Sequence, residues 1–273
     1  MAVSFVMPEQ IPRMTCWATV VILSVALPLF ADDKAPTAEE LAALLSKSIA
    51  DGDSATRLRM NIKPTAGGKK TVLQLQVKAR RTASKSEVVY QTLWPKDRKG
   101  ESFVLQKRRG SAPVGSALRP PKTVSPLNRA NMKDSIFGSD LAYEDVIDNF
   151  FHWESQSLAG KEMIGRVECI ILESKPGAKS SSHYGSVRSW IDPKKLVPLR
   201  IEKFSSAGKL AVRIDTDRVS KNDRARHVPS RLVVRRTGSG TETEVEGSDI
   251  RHSMKYSDKD FTPDALTDFK IPR

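Results

Sequence analysis

Apolar and polar residues alternate along much of the chain, with a period of two. Residues 71–79, TVLQLQVKA, place Leu73, Leu75 and Val77 on one side and Gln74, Gln76 and Lys78 on the other. That is a strand with one buried and one wet face, the habit of antiparallel sheets. RLRMNIK (57–63), EVVYQTLW (87–94) and SFVLQK (102–107) read as further strands, with Gly67-Gly68 and WPKDRKG as turns. After Gly160 the sequence is strand-rich again. RVECIILES (166–174), SVRSWID (186–192), LRIEKFS (199–205), KLAVRIDTDRV (209–219), SRLVVRRT (230–237) and TETEVEGSDIRHS (241–253) are separated by turns at Pro176-Gly177, Asp192-Pro193, Ala207-Gly208 and Gly238-Ser239-Gly240. Short strands at this spacing predict an antiparallel sheet or barrel.

Two stretches change period. Thr37 and Glu40 form a T-x-x-E capping box, and Leu41, Leu44, Leu45 and Ile49 follow at helical spacing until Asp51-Gly52-Asp53 ends the helix. In IFGSDLAYEDVIDNFF (136–151), Leu141, Val146, Ile147, Phe150 and Phe151 suit a short helix or pair of helical turns with one greasy side, capped by Ser139 or Asp140. Residues 110–126, rich in Gly, Pro and Ser, predict an exposed loop. FTPDALTDFKIP near the C-terminus predicts a closing turn.

The N-terminus changes the picture of where such a sheet works. Residues 15–30 form an uncharged apolar run between Arg13 and the small residue Ala31, and the polar DDKAPTAEE follows. This predicts a signal peptide over 1–31, cleaved after Ala31, and one domain over 32–273 exported to the periplasm or cell envelope. An uncleaved anchor is the alternative, disfavoured because the run is shorter than the roughly 20 residues of a comfortable span. Of the two cysteines, Cys16 leaves with the signal. Cys169 is then alone, and an unpaired thiol in an oxidising compartment is safest buried.

The formal charge is +13, and cleavage keeps it, because the signal carries one Arg and one Glu. A basic surface suits anionic partners, and export disfavours nucleic acid. An anionic membrane surface or an acidic envelope protein remains, beside simple solubility. Basic clusters such as Lys107-Arg108-Arg109 and Arg235-Arg236 lack interleaved aromatics and read as solvated strand edges.

Candidate chemistry is sparse. The four histidines (152, 183, 227, 252) lack metal-ligand spacing, and no cofactor motif is present. Ser206-Ala-Gly-Lys209 matches S-x-x-K of serine β-lactamases, but in a hairpin turn where that chemistry needs a helix start. The expectation is a protein that is not an enzyme and takes no cofactor.

From 138 onward a family becomes recognisable. GSDLAYEDV, GRVECIILESKP, YGSVRSWIDPKKLVPLRIEKFSSAGKL and the tail SDKDFTPDALTDF together resemble the outer-membrane lipoprotein-sorting, LolA-like proteins. The resemblance implies a mainly β, α+β fold: a curved antiparallel sheet forming an incomplete barrel, with helices over its open concave side. It also implies a hydrophobic cavity for lipid or lipoprotein acyl chains, loaded and unloaded with inner-membrane export machinery among the partners. In that frame the helical stretch, about 139–151, becomes a lid. Candidates to line the cavity or its lid are Leu73, Leu75, Val77, Tyr90, Leu141, Tyr143, Val146, Phe150, Phe151, Ile171, Trp190 and Ile201. Plain core packing is the competing role for each. A regulatory or scaffold module binding an acidic envelope protein is the competing function.

Overall fold

Among the described residues, thirteen strands form one sheet, and every pairing in it is antiparallel. They are β1 (Gly52–Pro64), β2 (Thr71–Arg81), β3 (Lys85–Trp94), β4 (Ser102–Arg108), β5 (Val114–Arg119), β6 (Thr123–Leu127), β7 (Ser155–Ile164), β8 (Val167–Lys175), β9 (Tyr184–Asp192), β10 (Val197–Ser205), β11 (Leu210–Lys221), β12 (His227–Arg236) and β13 (Thr241–Glu246). The computed structural model describes residues 36–267 apart from 120, 122, 179 and 248. The signal peptide expected over 1–31 lies outside the described residues.

The strand order runs β6-β5-β4-β3-β2-β1-β13-β12-β11-β10-β9-β8-β7. Each strand lies beside its sequence neighbour except at β1–β13, where the two halves join, with Met60 opposite Val245 and Ile62 opposite Thr243. The sheet is not closed: β6 and β7 are its edges. Pro126 in β6 has no N–H to offer, and β7 carries a register shift between Leu158 and Lys161. Both features blunt an edge against pairing with another chain.

Two expectations need correction. Residues 110–126 are not a loop, since β5 and most of β6 fall there. Their Gly, Ser and Pro content hid an edge hairpin whose spacing to β4 is set by Gly115. A Cβ at that position would meet the Val104 carbonyl oxygen at 2.1 Å. The last strand stops at Glu246 rather than continuing to 253. Beyond it Arg251 makes an isolated antiparallel bridge to Ala55. The chain then crosses the convex face, where Phe261 and Leu266 cover Val89, Val104 and Leu118. The closing turn is two 3-10 turns, Asp258–Phe261 and Pro263–Leu266.

The other helices gather on the concave side. In α1 (Ala38–Ile49) the capping box is formed, with Thr37 N donating to Glu40 Oε2 at 2.9 Å and Glu40 N to Thr37 Oγ1 at 3.2 Å. Its buried stripe is Ala38, Leu41, Ala42 and Leu45, whereas Leu44 stays 47% exposed. The convex wall of the C-terminal half carries cross-strand ion pairs: Arg188–Glu173, Arg200–Asp215, Arg213–Glu202 and Arg235–Glu242.

Candidate functional site

The edges β6 and β7 are joined by residues 128–154, which run across the concavity. Asn128 caps a 3-10 turn, Arg129–Lys133, by accepting from Ala130 N at 2.9 Å. Ser135 then bridges Ala142 across a tight turn in which Phe137 (φ +53°) and Gly138 (φ +77°) are both left-handed. A left-handed backbone is unfavourable for a bulky side chain and needs support from its surroundings. Here Arg98 supplies it, donating to the Phe137 carbonyl from Nη1 and Nη2 at 3.2 Å. The helix α2 is only Tyr143–Ile147, followed by a 3-10 turn, Phe150–His152. The short helix or pair of helical turns expected over 139–151 is therefore present as these two pieces, separated by Asp148 and Asn149.

This crossover fills the half-barrel in two places. Met132, Ile136, Phe137, Tyr143 and Ile147 pack on Met60, Leu73, Leu75, Val77, Tyr90 and Leu105. Phe103 sits at the centre, stacked on Tyr90 at 4.9 Å and edge-on to Tyr143 at 5.0 Å, with Phe137 tilted at 5.4 Å. On the other side Phe150 and Phe151 join Leu41 and Leu45 of α1 over Ile170, Leu172, Val187 and Ile191.

Between these clusters lies a polar anchor, built from the acidic residues of the GSDLAYED stretch. Asp145, its side chain fully buried, accepts from Lys203 Nζ (2.7 Å) and the Tyr184 hydroxyl (2.8 Å) on Oδ1. On Oδ2 it accepts from Arg236 Nη2 (2.9 Å) and from Ala142 N (2.7 Å). Asp140 accepts from Thr241 Oγ1 (2.9 Å) and Thr243 Oγ1 (2.6 Å), while its carbonyl accepts from Arg236 Nε (3.0 Å). Glu144 accepts from the Ser182 hydroxyl and pairs with His183 Nδ1 at 3.0 Å. Asp140 is thus an anchor and not a cap. Ala142 takes the cap position, and the Asp145 carboxylate returns to its N–H.

Burial alone would push the Asp145 carboxyl up, but Lys203 and Arg236 outweigh it and hold the group below the usual carboxylate range. Burial, and then Asp145 itself, pushes the Tyr184 phenol up, so it stays a donor. A carboxyl depressed in the folded state contributes stability above its unfolded pKa of about 3.9. That contribution disappears as the pH falls through the lower folded value. Melting temperatures measured from about pH 5 down to pH 2 are expected to fall, and Asp145→Asn is expected to flatten the part of that fall owed to this group.

Of the residues singled out from sequence, Leu73, Leu75, Val77 and Tyr90 stand on the concave wall, with Leu141, Tyr143 and Val146 packed against it from the crossover. Phe150, Phe151 and Ile201 belong to the second half. Ile171 and Trp190 do not join them. They are register partners on the convex face, one residue out of phase with Ile170, Leu172 and Ile191. Trp190 Nε1 donates to Glu162 at 2.8 Å, and the Arg200 guanidinium lies over the indole. Cys169 is buried, and burial pushes its thiol up, which keeps the nucleophilic thiolate scarce. Ser206 lies at an exposed hairpin turn, where Gly208 N donates to Ser205 O.

Sequence reasoning missed Lys203 and Arg236. Both stand in phase with an apolar strand face, Lys203 with Ile201 and Arg236 with Leu232 and Val234. A cation in that phase needs a buried partner, and the acidic run at 140–145 was the signal for one.

These features define an unclosed antiparallel half-barrel whose concavity is crossed by the segment joining its own edges and filled by that segment together with α1. Residues 85–268 match the model of a family described as "-like: Uncharacterized protein". The chain belongs to that family, and its fold is LolA-like. It is similar to a DUF1329 family protein from Desulfovibrio piger, with 21% identity, TM-score 0.77, and 84% of this chain and 97% of that one covered. An outer membrane lipoprotein-sorting protein domain from Vibrio parahaemolyticus shares 20% identity, TM-score 0.74, over 82% and 96%. A LolA superfamily protein from Nitrosomonas europaea shares 18%, TM-score 0.67, over 85% and 100%. No curated protein matches the chain.

Proposed function

We propose that the protein is an exported binder or carrier of acyl chains, of lipids or lipoproteins, in the periplasm or cell envelope, and that a chain enters the half-barrel by displacing the crossover. The resemblance to a lipoprotein-sorting domain supports the cargo class, and the apolar run at 15–30 supports the compartment. The observation that carries the reading is how the concavity is filled. Its stuffing comes from α1 and from one connection between two sheet edges, the latter tied down by ionic and hydrogen-bonded contacts.

Magnitudes allow the exchange. Burying Met132, Ile136, Phe137, Tyr143 and Ile147 contributes about 1.5–3 kcal/mol each, so roughly 8–15 kcal/mol together. A chain of about 16 methylenes contributes on the order of 13 kcal/mol at about 0.8 each. Plug and ligand are therefore close in hydrophobic value, and the polar anchor sets how readily one replaces the other. The reading as a module that binds an acidic protein through its sheet has less support, because the convex arginines already face carboxylates within the sheet.

Protein purified from its own envelope is expected to carry lipid detectable by extraction and mass spectrometry, and to take up a fluorescent fatty acid. Reproducible absence of both would count against the proposal.

A further inference from the structure

A cleft of about 220 Å³ opens where the β2–β3 turn, the β4–β5 turn and the crossover meet, closed on its far side by Gly177, Ser180 and Ser181. Among the described residues, four cations line it, Lys85, Lys107, Arg108 and Arg109, against two carboxylates, Asp148 and Glu154. Lys107 is committed to Asp148, and Lys85 to Glu87 at 2.7 Å. Arg108 and Arg109 have no acidic partner among the described residues. Ser84, Ser111 and Ser180 also line the cleft. We propose that this cleft binds the phosphate group of an anionic lipid.

Three observations select that ligand. Two arginines without an acidic partner, in a cleft also lined by three serines, suit a tetrahedral oxyanion. The volume is below the roughly 300–1,000 Å³ that encloses a whole drug-sized molecule, so the cleft takes a headgroup and leaves the tail outside it. Its apolar residues point to where the tail goes: Ile147 belongs to the first packed cluster and Trp153 flanks the second. The cleft thus sits over the seam between the two halves of the plug, where a chain attached to a bound phosphate would enter. This places the headgroup of the acyl ligand and rests on the acyl-chain reading.

Calorimetry on the full exported chain with dihexanoyl phosphatidylglycerol, dihexanoyl phosphatidylcholine and glycerol 3-phosphate, each below any micelle concentration, tests the assignment. Phosphatidylglycerol is expected to bind at least tenfold more tightly than either of the others. The exposed double substitution Arg108→Gln/Arg109→Gln is expected to abolish that preference while leaving uptake of an uncharged fluorescent fatty-acid methyl ester unchanged. Equal binding of the two phospholipids would overturn the headgroup site. Glycerol 3-phosphate binding as tightly as phosphatidylglycerol would overturn its assignment to a lipid. If the methyl ester still enters in either case, the acyl-chain reading survives. If the ester is excluded while phosphatidylglycerol keeps its preference, the headgroup site stands and the acyl-chain reading fails.

Discussion

Asp145→Asn is expected to lower the unfolding free energy by about 3–5 kcal/mol, the usual penalty for removing one partner of a buried ion pair. The substitution keeps shape and volume, so packing does not supply the loss. The loss arises because Lys203 and Arg236 stay inside the half-barrel with no carboxylate between them. The triple substitution Asp145→Leu/Lys203→Met/Arg236→Met is expected to recover much of it, since an apolar triad of similar size is often neutral or better in such a place. Denaturant unfolding of the three proteins checks this. A loss below about 1 kcal/mol for Asp145→Asn would mean that the network does not hold the crossover down.

The second expectation runs the other way. If acyl chains bind only when the crossover is withdrawn, the apparent affinity is the intrinsic affinity scaled by the withdrawn fraction. Glu144→Gln weakens the contacts to Ser182 and His183 at the outer end of the anchor. Hydrogen bonds to charged groups are worth about 1.5–3 kcal/mol. Fluorescent fatty-acid uptake by this variant is therefore expected to tighten by about tenfold or more. A permanent core responds differently: the same substitution would lower stability and leave uptake unchanged.

The sheet was largely legible because its inner wall obeys the period of two. Leu73, Leu75 and Val77 show this in β2, and the capping box at Thr37 and Glu40 marked α1 directly. Legibility ended where packing, not periodicity, decides structure. The β5–β6 hairpin hid behind Gly115 and Pro126, one required by a close carbonyl and the other allowed by an edge. Ile171 and Trp190 show the limit of reading single residues: each is bulky and apolar, yet one residue of phase put both on the outer face. Of the acids of GSDLAYED, Asp140 reads in sequence as a helix cap, and nothing local marks Asp145 as the centre of a network. Its cationic partners lie 58 and 91 residues further on, from Asp145 to Lys203 and Arg236, and only the curvature of the sheet brings them together.

Hydrogen exchange with and without a long-chain fatty acid tests most directly whether the filling of the half-barrel is removable. A displaceable crossover predicts faster exchange of amides in 134–148 when ligand is bound, with β1 to β4 and β8 to β13 as protected as before. Unchanged protection of 134–148 at saturating ligand would contradict it and leave the crossover as a fixed part of the core.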